Sequence, residues 1–137
     1  MTIKEIQQEV IDEFSFFEDW QQRYEYLIEL GKSIAPFKGE KKEELLIKGC
    51  QSSVWLFAEL KDNKIYFSMD SDAILPKGIA ALLARIYSGQ TPEDIINSDT
   101  QFIEKIGLQE FLSPTRANGL LAMIKQIKYY AIVLKTK

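Results

Sequence analysis

Apolar residues recur at helical spacing at the start of the chain, alternate with polar ones in its middle, and return to helical spacing for the remainder. Ile3, Ile6, Val10, Phe14 and Phe17 form one stripe, and Thr2 with Glu5 has the spacing of a capping box, so a first helix starts there. A second box, Ser15 with Glu18, is expected to open another helix. Its Trp20, Tyr24, Leu27 and Ile28 share a face that reads as core, and Gly31 reads as its stop.

The middle of the chain changes period. Residues 45–48 read as a short strand, and 53–60 and 64–70 as a hairpin, because β-branched and aromatic residues flank Asp62-Asn63. With those two residues as the loop, Lys61 faces Lys64, Leu60 faces Ile65, Ala58 faces Phe67 and Leu56 faces Met69. A slip of one residue would scramble these apolar pairs, so the register supports itself. Extended further, it sets Trp55 opposite Asp70 and Ser53 opposite Asp72, which brings the loop at 49–52 and Ser71-Asp72 to the same end of the sheet.

Pro76 suits a helical first turn and disfavours helical geometry at Leu75, so a helix is expected from about Pro76 to Ser88, ahead of Gly89, with Asp72 in the connector. Thr91-Pro92-Glu93-Asp94 starts a short helix, 99–106 forms another stopped by Gly107, and Ser113-Pro114 opens a long terminal helix with Ile124, Ile127, Ala131 and Leu134 on its inner side. The order predicts an α+β fold: a small antiparallel sheet of about three strands packed with N-terminal and C-terminal helices.

Composition narrows the chemistry. The 137 residues suit one domain over 1–137, large enough to bury a core without disulfides or a structural metal. The net charge of -3, with acids and bases interspersed, lacks the electrostatic footprint of a nucleic-acid or anionic-membrane binder. The start of the chain lacks a signal-peptide pattern, and the apolar segment 78–87 is too short to span a bilayer and contains Arg85, so the expected location is the cytoplasm. There is one cysteine and no histidine. That excludes an internal disulfide, a Cys-x-x-Cys pair, a thiolate-rich or histidine-ligated metal site and any histidine-based dyad or triad. If Cys50 is chemical, it acts without an imidazole base of its own, which points to chemistry shared with a partner.

A free cysteine is most often a small buried hydrophobe. Here Gly49 precedes it and the polar Gln51 and Ser52 follow, in what reads as a loop between strands, and such loops carry function. Arg116 stands in the first turn of a helix, where a cation opposes the macrodipole and forgoes roughly 0.3 to 1 kcal/mol. Gly119 in the same helix costs about 1 kcal/mol against alanine and hints at close packing. Asp72 either caps a turn or stands beside the thiol; Lys77 is either solvated or faces a partner.

These residues carry a resemblance. Trp20, the Tyr-Leu-Ile-Glu-Leu-Gly run at 26–31, Ile-Lys-Gly-Cys-Gln-Ser at 47–52, Val54-Trp55, Ser71-Asp72-Ala73, Lys77-Gly78 and Ser-Pro-x-Arg-x-x-Gly from Ser113 to Gly119 resemble the SufE/CsdE family of sulfur acceptors for cysteine desulfurases. Pro76 departs from the pattern. The resemblance covers nearly the whole chain and implies a fold similar to that of IscU-type scaffolds. It also implies that Cys50 takes a persulfide sulfur from a pyridoxal-phosphate-dependent, SufS/CsdA-like desulfurase, stimulates that enzyme, and passes the sulfur to an iron-sulfur scaffold or another acceptor. The chain is then a carrier with no cofactor or metal of its own, the pyridoxal phosphate belonging to the desulfurase. Gly49, Gln51, Ser52, Asp72, Lys77 and Arg116 are its expected loop and partner-facing residues. Cys50 is expected to be shielded at rest and to swing outward on docking, with Arg116 steadying the thiolate or the loop, in one form through Asp72. The alternatives are a desulfurase adaptor whose cysteine is incidental and a stand-alone thiol-dependent hydrolase.

Overall fold

The computed structural model describes residues 1–135, the side chains of Gln109 and Phe111 excepted. Helix α1 (Ile3–Ser15) opens with the full capping box: the Thr2 hydroxyl accepts from the Glu5 N–H, and the Thr2 N–H donates to the Glu5 carboxylate. Helix α2 (Trp20–Lys32) is capped by Asp19, whose carboxylate accepts from the Gln22 N–H at 2.8 Å. The expected Ser15–Glu18 box does not form, because Ser15 still belongs to α1 and donates to the Asp12 carbonyl.

Gly31 is not a stop. It lies inside α2 where the helix crosses α3 (Ile74–Tyr87), and a Cβ on it would sit 2.8 Å from the Gly78 nitrogen. Gly78 is tighter still, since a Cβ there would stand 2.2 Å from the Leu27 carbonyl oxygen. The two glycines let the backbones touch. Helix α3 begins two residues before Pro76, with Ala73 as its cap, so Pro76 falls within the first turn rather than at its first position.

The hairpin follows the expected register: strands β1 (Val54–Lys61) and β2 (Lys64–Ser71) pair Lys61 with Lys64, Leu60 with Ile65, Ala58 with Phe67 and Leu56 with Met69. Asp62 and Asn63 both take positive φ, 52° and 63°, as a tight two-residue loop that matches strand twist demands. The third strand does not form. Glu43–Leu45 winds into a 3₁₀ turn, and only Leu46 bridges to Trp55, so the sheet described has two strands.

One face of the hairpin, with Val54, Leu56, Ile65, Phe67 and Met69, is buried against α3. Its other face is crossed by the segment 33–46, where the Lys38 N–H donates to the Ser68 hydroxyl and Lys41 pairs with Asp70 at 2.7 Å while lying 5.1 Å from the Trp55 ring centre. Burial raises the Asp70 pKa, but Lys41, the Ser71 N–H and Lys77 outweigh it and hold the carboxyl below its ordinary value.

Helices α4 (Pro92–Asn97), α5 (Gln101–Ile106), α6 (Leu108–Phe111) and α7 (Pro114–Lys135) complete the chain. Thr91 caps α4 and Gly107, at φ 82°, ends α5. The short α6 has no counterpart in the sequence pattern. Ile124, Ile127 and Ala131 of α7 are buried and Leu134 partly so. Trp20, expected in the core, is 63% exposed; Leu27 carries the burial on that face of α2.

Candidate functional site

The cysteine loop is pinned at both ends, and between them its thiol reaches the backbone of α7. On its N-terminal side the Ile47 N–H donates to the Val54 carbonyl at 2.9 Å. On its C-terminal side Ser53 is held by three bonds: its N–H donates to the Asp72 carboxylate at 3.2 Å, and its carbonyl accepts from the Asp72 N–H at 3.3 Å and from the Ser71 hydroxyl at 2.7 Å. Between these points Gly49 takes φ 94°, a conformation costly for any other L-residue, and packs so closely that a Cβ would lie 3.3 Å from that of Ala122.

Cys50 is half-buried, its thiol donating weakly to the Gly119 carbonyl at 3.7 Å. Glycine at 119 leaves room for the sulfur, since a Cβ there would be 3.7 Å from Sγ. Its close neighbour is thus the thiol and not the backbone of another element. A cleft of about 70 Å³ lies beside the sulfur, lined by Cys50, Gln51, Ser52, Thr115, Arg116 and Met123 among others. Burial pushes the thiol pKa up, and among the described residues no cation counters it.

Arg116 reaches the cleft from the first turn of α7. Its backbone N–H is capped by the Ser113 hydroxyl at 3.3 Å, and its guanidinium donates to the Tyr24 hydroxyl of α2 at 2.9 Å. Tyr24 in turn meets the exposed ring of Trp20 edge-on at 6.2 Å. The structure therefore brings Cys50, Gln51, Ser52 and Arg116 around one cleft, beside Gly49. Asp72 is spent on Ser53 at the foot of the loop, and the guanidinium bond goes to Tyr24 rather than to Asp72. Lys77 pairs with Asp70 at 3.5 Å on the hairpin. The sequence pattern places Tyr24 in the core and gives no sign that Thr115 and Met123 line the cleft. A tyrosine on an amphipathic helix carries no local mark of an arginine so far along the chain.

Among the described residues no group of three or more His, Cys, Asp or Glu side chains is arranged to hold a metal ion, and no helix is long and apolar enough to cross a membrane. A larger groove of about 450 Å³ between the 33–38 segment and the hairpin, lined by Ile34, Phe57 and Tyr66 among others, contains no thiol.

The fold is thus an α+β frame that sets a single thiol on a pinned loop beside a small cleft. The chain belongs to the SufE family: the family model for the SufE Fe-S metabolism associated domain matches residues 8–131. It is 40% identical to an uncharacterized SufE-like protein of Rhizobium etli over 91% of this chain and 88% of that one. It is 38% identical to one of Synechocystis over 92% and 80%, and likewise 38% to one of Rhizobium meliloti over 88% and 90%. The solution structure of a hypothetical protein from Thermus thermophilus shares the fold, with a TM-score of 0.79 over 96% of this chain and 97% of that one at 21% identity. Family membership ties the chain to iron-sulfur metabolism.

Proposed function

We propose that Cys50 accepts a sulfur atom from the cysteine persulfide of a pyridoxal-phosphate-dependent desulfurase, stimulates that enzyme by clearing its product, and delivers the sulfur toward iron-sulfur cluster assembly. The observation that carries this reading is the cleft: about 70 Å³ of space opens directly beside the Cys50 sulfur, with no carboxylate in its lining. That leaves room beside the thiol for an added sulfur and offers no general base to a hydrolytic substrate.

The transfer balances without a metal or an external oxidant. Cys50 loses its proton, and the thiolate attacks the outer sulfur of the partner persulfide. The bond between that sulfur and the partner cysteine breaks, the partner leaves as a thiolate that takes up a proton, and Cys50 becomes the persulfide. The transferred sulfur keeps its oxidation level throughout. An ordinary thiol is only a few per cent ionised near neutral pH, and the buried Cys50 is less so. Docking therefore has to move the sulfur out of the cleft, or bring a cation to it, for attack to be fast. The loop is suited to movement because its anchors are at Ile47 and Ser53, on either side of the left-handed Gly49. The resting position meanwhile limits oxidation of the thiol.

A thiol hydrolase would need a general base at the sulfur. The cleft has no carboxylate in its lining and the chain has no histidine, so the carrier reading is favoured. Incubation with the desulfurase of the same organism and free cysteine, followed by mass spectrometry without reductant, is expected to find one extra sulfur on Cys50. The Cys50→Ser chain is expected to gain none and to lose stimulation of the enzyme while still binding it. Stimulation that survives Cys50→Ser would make the chain an adaptor.

A further inference from the structure

Helix α7 differs from the rest of the chain in its charge. Between Pro114 and Lys135 it carries Arg116, Lys125, Lys128 and Lys135 and no aspartate or glutamate, in a protein whose net charge is -3. It is also apolar on both sides. Leu120, Ile124, Ile127 and Ala131 face the core against α3 and α4, yet Leu121, Tyr129 and Ile132 are 44%, 57% and 54% exposed. At helical spacing, these three and Lys125, Lys128 and Lys135 fall within an arc of about 120°. A helix that needed only to cover the core would present a polar outer face.

This row starts at the cleft. Leu121 precedes Ala122, which packs against Gly49, and Gly119 one turn earlier packs against the Cys50 sulfur. Any protein that reaches Cys50 from solvent on this side lies against the beginning of the row. Lys128 is committed to the Ser98 carbonyl, but no acid among the described residues pairs with Lys125.

We propose that the outer face of α7, with Leu121, Lys125, Tyr129 and Ile132, is a docking surface for an acidic protein face bearing apolar side chains, and that its occupant is the sulfur donor of the reading above, on which this inference rests. Charge complementarity selects the partner's sign: cations interleaved with apolar side chains call for carboxylates around an apolar patch. The row from Leu121 to Ile132 is about 16 Å long. It supplies part of an interface, the mouth of the cleft supplying the rest, and so fixes the direction from which the donor approaches. An anionic membrane fits less well, because three apolar side chains offer little insertion and the protein as a whole is acidic.

The test uses full-length chains carrying Cys50→Ser, so that association is read without sulfur transfer, and titrates them into the desulfurase of the same organism by calorimetry. Lys125→Glu, Tyr129→Ala and Ile132→Ala together are expected to weaken Kd at least tenfold, with helix content and Tm retained. Lys125→Glu alone is expected to weaken it severalfold, and the unsubstituted surface to lose affinity as salt rises. An unchanged Kd in the triple variant overturns the proposal, and persulfide loading of the wild-type chain in that case leaves the function reading standing. Binding that depends on α7 without any loading does the reverse. Sedimentation with phosphatidylserine vesicles, or a self-dimer dissolved by the triple variant, would assign the face to a membrane or to a second copy and also overturn it. No association of the unsubstituted chain with the desulfurase overturns both readings.

Discussion

Two regions of this molecule are assembled from the same parts and held to different standards. Where α1, α2 and α3 meet, Arg85 sets both guanidinium branches on Glu13, at 2.8 and 2.5 Å, and reaches Glu9 at 2.7 Å, while the Tyr26 hydroxyl donates to the same Glu13 carboxylate. At the cysteine cleft an arginine and a tyrosine recur, but the Arg116 guanidinium bonds to the neutral hydroxyl of Tyr24. Each region also has a helical glycine. Gly78 has no room for a methyl group; Gly119 has ordinary van der Waals clearance to the thiol. The first region is over-determined and holds the helices in place. The second rests its guanidinium on a hydroxyl and leaves space open beside a sulfur, which suits the movement that the proposed transfer calls for.

The glycines give the widest separation. Gly78→Ala drives a methyl into the Leu27 carbonyl at 2.2 Å, so the helices must part, at a cost of about 2 to 3 kcal/mol. Gly119→Ala meets only the sulfur at 3.7 Å and gains helix propensity, so the protein is expected to become more stable by up to about 1 kcal/mol. The added methyl nevertheless takes space beside Sγ, and persulfide loading is expected to slow. Urea unfolding of both variants with a loading time course checks this; a destabilised Gly119→Ala would show that the cleft is as tightly packed as the crossing.

The arginines come next. Arg85→Ala leaves Glu13 without the guanidinium that holds its carboxyl below the ordinary range, and is expected to cost about 2 kcal/mol as charged hydrogen bonds are lost. Arg116→Ala is expected to stay within about 0.5 kcal/mol of wild type while reducing desulfurase stimulation. If the two variants unfold at the same urea concentration, the contrast between the regions is wrong.

The sequence exposes some of this contrast and hides the rest, for physical reasons. Thr2, Thr91 and Ser113 are readable as helix starts because a cap bonds to a backbone N–H three residues away. The hairpin is readable because Asp62-Asn63 and the alternation of Leu56 to Leu60 with Ile65 to Met69 fix one register. The grouping of Arg116 with Cys50, Gln51 and Ser52 comes only through the resemblance to the family, since on its own Arg116 shows no more than a cation set against a helix dipole. Gly31 reads as a stop because its actual role depends on Gly78, a residue of another helix. The strand expected at 45–48 does not form because the chain spends Glu43–Leu45 on a 3₁₀ turn and reaches the sheet at Leu46 alone. Trp20 has the periodicity of a core residue and none of its burial, because α3 covers the Leu27 side of α2. The bond from Arg116 to Tyr24 joins two surfaces whose patterns say nothing of each other.

The smallest expected effect concerns the thiol itself. Its pKa is raised by burial, so the neutral form is favoured in the folded state, and the stabilisation this gives is present below the unfolded thiol pKa and is lost as pH rises through the folded one. Alkylation of free Cys50 by iodoacetamide follows the thiolate, so its half-maximal rate is expected at a pH above that of an ordinary cysteine peptide. Because Arg116 is bonded to Tyr24 in the resting protein, Arg116→Ala is expected to leave that midpoint unmoved. A midpoint below the peptide's, restored upward by Arg116→Ala, would mean that the guanidinium already stands at the sulfur before any partner arrives. The cleft would then be as firmly paired as the Arg85 region, and docking would have nothing left to arrange there.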